Sequence, residues 1–116
     1  MRHTLKRSGR VTRRADFIRA IRRGRSLTHG PLRLHVRANS LGRRRFGVMV
    51  ARRHGCAVRR NRIKRLCREA FRTCCQDLPD GCDYLVAPAA GVELTVEAVR
   101  KSLCHFGRVL AKEPPS

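Results

Sequence analysis

The chain has 116 residues, 41% of them hydrophobic, and a formal net charge of +20 at pH 7. That length suits a single domain and that apolar content supports a packed core, which excludes a disordered basic tail. No apolar run approaches the roughly 18 residues of a membrane span, and the basic N-terminus lacks a signal peptide's apolar stretch, so a cytoplasmic protein without membrane partners is expected. The charge is lopsided. Residues 1–68 carry 23 Lys and Arg against one acid, Asp16, whereas residues 69–116 carry 5 bases and 7 acids. A polyanion meeting the first part of the chain is implied. Arg outnumbers Lys 24 to 4, which favours bidentate phosphate contacts.

Residues 1–11 read as a mobile basic arm. Thr12 is a plausible cap for a first helix over 13–23, with Asp16 near its positive end and Gly24 as its stop. Phe17, Ile18 and Ile21 form its short apolar stripe. The RSLTH segment after Gly24 reads as a short strand, ended by Gly30-Pro31. Leu32, Leu34 and Val36 then alternate with Arg33, His35 and Arg37, as on a half-buried strand with a basic outer face. Asn39, Ser40 and Gly42 predict a hairpin turn into a strand over 45–52. There Phe46, Val48 and Val50 share one face, and Gly47, Met49 and Ala51 line a low, open one.

The stretch that organises the chain follows, AVRRNRIKRLCREAFR from Ala57 to Arg72. Ile63, Leu66, Cys67, Ala70, Phe71 and Cys74 recur at helical spacing and predict a helix ending near Gln76. At about 100° per residue, Asn61, Arg65, Arg68 and Arg72 fall opposite that apolar face, with Lys64 and Arg62 flanking them. Arg59, Arg60 and Arg62 crowd the first turns, where the macrodipole disfavours cations by roughly 0.3–1 kcal/mol each. No Ser, Thr, Asp or Asn stands at Gly55, Cys56 or Ala57 to cap the start. A bound phosphate relieves both defects, so the helix reads as an RNA-binding device.

Asp80-Gly81 marks a turn, and DYLVA over 83–87 reads as a strand buried enough to lose alternation. Pro88 to Leu94 reads as a loop. Thr95 caps a last helix, in which Val99, Leu103, Phe106 and Leu110 form the buried stripe. Residues 112–116 are expected to fray. The order is α-β-β-β-α-β-α, an α+β sandwich in one domain over 1–116.

Six cysteines show no metal-ligand spacing and are expected to be reduced and mostly buried. With four Phe, one Tyr and no Trp, the chain cannot build a full aromatic platform for bases, so backbone and shape must dominate RNA binding. No catalytic constellation is visible, because the acids are few and the histidines scattered. A helix-turn-helix DNA reader is excluded, since a strand precedes the basic helix.

FGVMVARRHGCAVRRNRIKRLCREAFR resembles the signature of the protein subunit of bacterial ribonuclease P, and so do Asp16-Phe17, Gly24 and the closing strand and helix. The resemblance covers nearly the whole chain. It implies an αβββαβα fold like the second domain of ribosomal protein S5, with a left-handed βαβ crossover. It also implies a division of labour. A catalytic RNA with bound Mg²⁺ removes the 5′ leader of precursor tRNA, while the protein binds that RNA and the leader, is inactive alone, and holds no cofactor or metal itself. The family's Arg-Asn-Arg motif falls on Arg60, Asn61 and Arg62, followed by Lys64, Arg65 and Arg68. With Arg59 and Arg72 these form the expected catalytic-RNA face. Leader contacts fall on Phe17, Ile21, His35, Arg52 and Arg53. Family members often carry aromatics at the positions of Ile21 and His35. Ile21 loses a stacking surface there, whereas His35 can still stack and donate. The alternative is a ribosomal or general RNA-chaperone protein without a processing role.

Overall fold

A strand hydrophobic on both faces needs neighbours on both edges, and DYLVA finds them. In the computed structural model, which describes residues 10, 14–39, 41–74, 76 and 78–113, the elements run α1 (Arg14–Arg23), β1 (Arg25–His29), β2 (Leu32–Ala38), β3 (Arg45–Val48), α2 (Ala57–Cys74), β4 (Cys82–Pro88) and α3 (Val96–Lys112). The expected α+β order is observed. The sheet order is β1-β2-β4-β3, so β4 is inserted between β2 and β3. β1–β2 and β2–β4 are antiparallel, whereas β3–β4 is parallel and joined through α2, the expected βαβ unit.

The hairpin expected between β2 and β3 is therefore absent. Its turn chemistry is nonetheless real: Asn39 Oδ1 accepts from Leu41 N–H at 2.9 Å, and Gly42 takes φ 72°. The turn reverses the chain, but the all-buried β4 claims the place between the two strands. β3 also ends at Val48, earlier than expected, although Met49 N–H still reaches the Val86 carbonyl at 2.8 Å.

The two sheet faces differ. Leu34 and Val86, Val36 and Tyr84, and Phe46 and Tyr84 sit side by side in register, on the face packed by α2 and α3. Cys67, Ala70, Phe71 and Cys74 of α2 and Val99, Leu103, Phe106 and Leu110 of α3 complete this core. Each large side chain buried there contributes about 1.5–3 kcal/mol. The apolar stripes read for both helices are the buried ones. Thr95 Oγ1 caps α3 by accepting from Ala98 N–H at 3.1 Å.

α1 crosses one end of the opposite face. Gly24 lets it approach closely: a Cβ there would lie 2.3 Å from the Ala20 carbonyl oxygen and 2.6 Å from that of Val36. Gly24 thus ends the helix through backbone packing, without a left-handed conformation. Ala20 is the buried residue of α1, while Ile18 and Ile21 are 40% and 38% exposed. Their stripe is an open surface, not a core. The end of the chain is also tied more firmly than expected. Lys112 is helical, and Glu113 receives Arg25 on its carboxylate and its carbonyl, both at 2.7 Å. Residues 114–116, the arm apart from Arg10, Thr12, Arg13, Ser40 and Cys75 lie outside the described residues.

Candidate nucleic-acid interface

The basic face of α2 divides into flanks set by helical spacing. Arg60, Lys64 and Arg68 stand at i, i+4 and i+8, on the side nearest β3. Arg60, Asn61 and Lys64 line a concavity of about 230 Å³ with Val50 and Ala57. The Arg60 Nε itself is buried without a hydrogen-bond partner among the described residues. A buried guanidinium donor left unmade is costly, and an anion drawn to the guanidinium beside this concavity would offset that cost. Farther along, the Arg68 pKa is lowered by burial and by the charge of Arg10, whose backbone bridges to Phe46. Two cations brought together in this way favour an anion between them.

The remaining predicted residues are spread around the helix. Asn61, Arg62 and Arg65 are exposed, Asn61 beside this concavity and Arg62 toward the opposite flank. Arg59 folds back over Gly55, so close that a Cβ on that glycine would lie 2.9 Å from the Arg59 Cδ. Arg72 is held by Glu69 through an ion pair and an Nε–Oε2 hydrogen bond of 3.1 Å, which offsets its charge. No Ser, Thr, Asp or Asn stands ahead of Ala57 to cap the start, as expected. The backbone N–H groups of Arg59 and Val58 lower the pKa of the Cys56 thiol just ahead of the helix, and the Cys56 carbonyl accepts from Arg60 N–H at 2.9 Å.

The second candidate surface is the open part of the other sheet face. Register places Ser26, His35, Leu85 and Gly47 in one row across β1, β2, β4 and β3. Thr28, Arg33 and Ala87 form the next. Half-buried Phe17 and exposed Ile21 of α1 overhang one end. Exposed Arg52 and Arg53, on a 3-10 turn over Arg52–His54, stand beyond the far end of β3. At about 3.3 Å per residue, these ends are roughly 20 Å apart.

His35 is not the exposed histidine expected on a basic strand face. It is 8% exposed, and its Nδ1 lies 2.8 Å from Ser26 Oγ. α1 covers this part of β2, with Gly24 against the Val36 carbonyl. Burial, then the charge of Arg33, lowers its pKa. His54 was missed by the sequence reading. It is buried, its Nδ1 accepts from Ala51 N–H at 2.9 Å, and its Nε2 donates to the Pro88 carbonyl at 2.7 Å. The imidazole thereby fixes the turn that carries Arg52 and Arg53. An Arg-Arg-His-Gly run ahead of a helix is the signal that could have revealed it.

A four-stranded α+β sandwich with a cation-lined helix on one face and a half-open basic sheet on the other defines a protein that binds RNA backbone. The Ribonuclease P family model matches residues 5–110. The chain belongs to the ribonuclease P protein family. It is 37% identical over 89 residues to the ribonuclease P protein component of Pelotomaculum thermopropionicum, covering 76% of this chain and 80% of the relative. It is likewise 37% identical over 102 residues to that of Brevibacillus brevis, covering 85% and 80%. The solved ribonuclease P protein of Thermotoga maritima superposes with a TM-score of 0.76 at 30% identity, over 86% of this chain and 96% of that one. Its role is that of a protein component of bacterial ribonuclease P, in tRNA 5′ processing, and the ribosomal or chaperone alternative is not favoured.

Proposed function

We propose that α2 docks the protein on the catalytic RNA of ribonuclease P, while the α1–sheet cleft holds the 5′ leader of precursor tRNA. The observation that carries this reading is the buried, unpartnered Arg60 Nε beside a concavity lined by Arg60, Asn61 and Lys64. Arg59, Arg62, Arg65, Arg68 and Arg72 extend the docking face. Phe17 and Ile21 offer the leader apolar surface, and Arg52 and Arg53 meet its phosphates. His35 acts from beneath, by shaping the floor of the cleft through Ser26.

Hydrolysis in this reading belongs to the RNA and its Mg²⁺. Among the described residues, most carboxylates are already engaged by arginines. Asp16 and Asp83 are drawn to Arg45, Asp80 to Arg44, Glu69 to Arg72 and Glu113 to Arg25. No His, Cys, Asp or Glu group among the described residues is arranged to hold a metal. In this reading the protein alone leaves RNA uncut, and the cytoplasm, where tRNA is processed, is its place. The test is leader removal by the catalytic RNA with and without this protein. Acceleration is expected, greatest at low Mg²⁺. An unchanged rate across all Mg²⁺ concentrations overturns the reading.

A further inference from the structure

The flank of α2 away from β3 borders a cavity of about 570 Å³, closed on its other side by the loop before α3. That volume lies within the roughly 300–1,000 Å³ of small-molecule sites. Its floor is aliphatic: Ile63, Leu66 and Leu94, each partly buried against the core. Val58 and Val92 stand at its mouth, 70% and 49% exposed. A valine so exposed in the first turn of an arginine-rich helix does nothing for folding. The charges are as informative. Arg59 and Arg62, at i and i+3, share this wall, and Glu93 belongs to the facing loop. Among the described residues none of the three forms an ion pair.

We infer that this cavity receives one unstacked guanine nucleotide of the catalytic RNA, an inference that rests on α2 being the RNA-docking helix. The chemistry favours that occupant over others. Branched aliphatic side chains pack against the face of a base, and a guanidinium plane can stack on it. Arg59 and Arg62 suit the flanking phosphates. Glu93 repels a simple anion such as free phosphate or a lipid headgroup, yet accepts donors. Guanine alone among the four bases carries a ring N–H beside an exocyclic amine on its pairing edge, two neighbouring donors for one carboxylate. An extruded base thus supplies the sequence-dependent contact that the chain's scarce aromatic residues cannot.

The test is chemical probing of the catalytic RNA, free and in complex, with kethoxal, which modifies the pairing edge of unpaired guanines. One guanine reactive in free RNA should become protected by the wild-type protein. Protection should be lost with Val92→Trp, which fills the mouth, and with Glu93→Ala. Both positions are exposed, so the fold is retained, and circular dichroism checks this. RNA affinity should fall about tenfold with its salt slope unchanged, because a base contact is lost and phosphate contacts are kept. If no guanine's protection depends on Val92 or Glu93 while Arg60→Ala/Arg65→Ala weakens binding, the cavity assignment is wrong and α2 docking stands. If that double variant also binds normally, α2 docking itself is wrong.

Discussion

Arg45 grips Asp83 with both arms, Nε to Oδ1 and Nη2 to Oδ2, each at 2.7 Å. The pair ties edge strand β3 to β4, and the same guanidinium reaches Asp16 of α1 at 3.4 Å. Hydrogen bonding to Asp83 raises the Arg45 pKa, so the cation persists at any pH the fold survives. The Asp83 side chain is only 8% exposed. Arg45→Ala strands a buried carboxylate and should cost about 3–5 kcal/mol in urea unfolding. Arg45→Met combined with Asp83→Leu should cost much less, because no charge is left unpaired. Equal losses in the single and double variants would show that packing, not charge, is what Arg45 supplies.

Docking through α2 is tested by counting phosphates. Arg60→Ala with Arg65→Ala should weaken binding to the catalytic RNA and reduce the slope of log affinity against log salt by about 1.5, the share of two phosphates. Arg72→Ala should change the slope less than Arg65→Ala, since Glu69 already holds the Arg72 charge. A titration series from low to high salt reads both. Parallel lines for wild type and the double variant would remove these residues from the interface.

Legibility in the sequence followed from how local each signal is. The α2 and α3 stripes were visible because helical periodicity is a property of neighbouring residues, and Val99, Leu103, Phe106 and Leu110 are all 0% exposed as a result. The insertion of β4 between β2 and β3 was not visible, because Asn39 and Gly42 encode a reversal and say nothing about which strand pairs across it. His35 looked exposed for a related reason: alternation assigns it to a face, but only the crossing of α1 decides whether that face is wet there. The residues expected to dock RNA were legible as a set. Their division into a concavity around Arg60, an outer side and a second flank at Arg59 and Arg62 required the neighbours, Val50 on one side and the loop at Val92 on the other.

The cleft reading separates substrate from catalyst. Phe17 is half-buried where α1 overhangs the sheet, away from the α2 face. Phe17→Ala should leave affinity for the catalytic RNA unchanged and weaken holoenzyme binding of leader-bearing precursor tRNA about five- to tenfold, the worth of one modest base contact. Mature tRNA, which has no leader, should bind as before. Equal losses for both substrates would rule out the leader contact.

Acid should loosen the fold through His35. Its folded-state pKa lies below the ordinary histidine value, with burial the larger cause and Arg33 the smaller. The unfolded chain therefore binds the proton more readily than the folded one. This contribution to stability is complete above about pH 6.5 and is lost as pH falls from there toward the folded value. Urea midpoints measured between pH 7.5 and 5.5 should decline for the wild type and decline less for His35→Gln. Superimposable declines would mean another group carries the effect.

The cysteines should separate by reactivity. Cys56 is exposed, and the Arg59 N–H stabilises its thiolate. Burial pushes the Cys67 thiol up to about 12 and raises that of Cys82. Since the thiolate is the nucleophile, iodoacetamide near pH 7 should label Cys56 first and leave Cys67 and Cys82 unmodified until the protein is denatured. Peptide mass spectrometry over a time course reads the order. Because Cys56 starts the docking helix, bound catalytic RNA should slow its labelling and leave the partly exposed Cys104 of α3 unaffected. Uniform labelling of Cys56 and Cys67 would contradict their difference in burial, and labelling of Cys56 indifferent to RNA would move the RNA away from the first turn of α2.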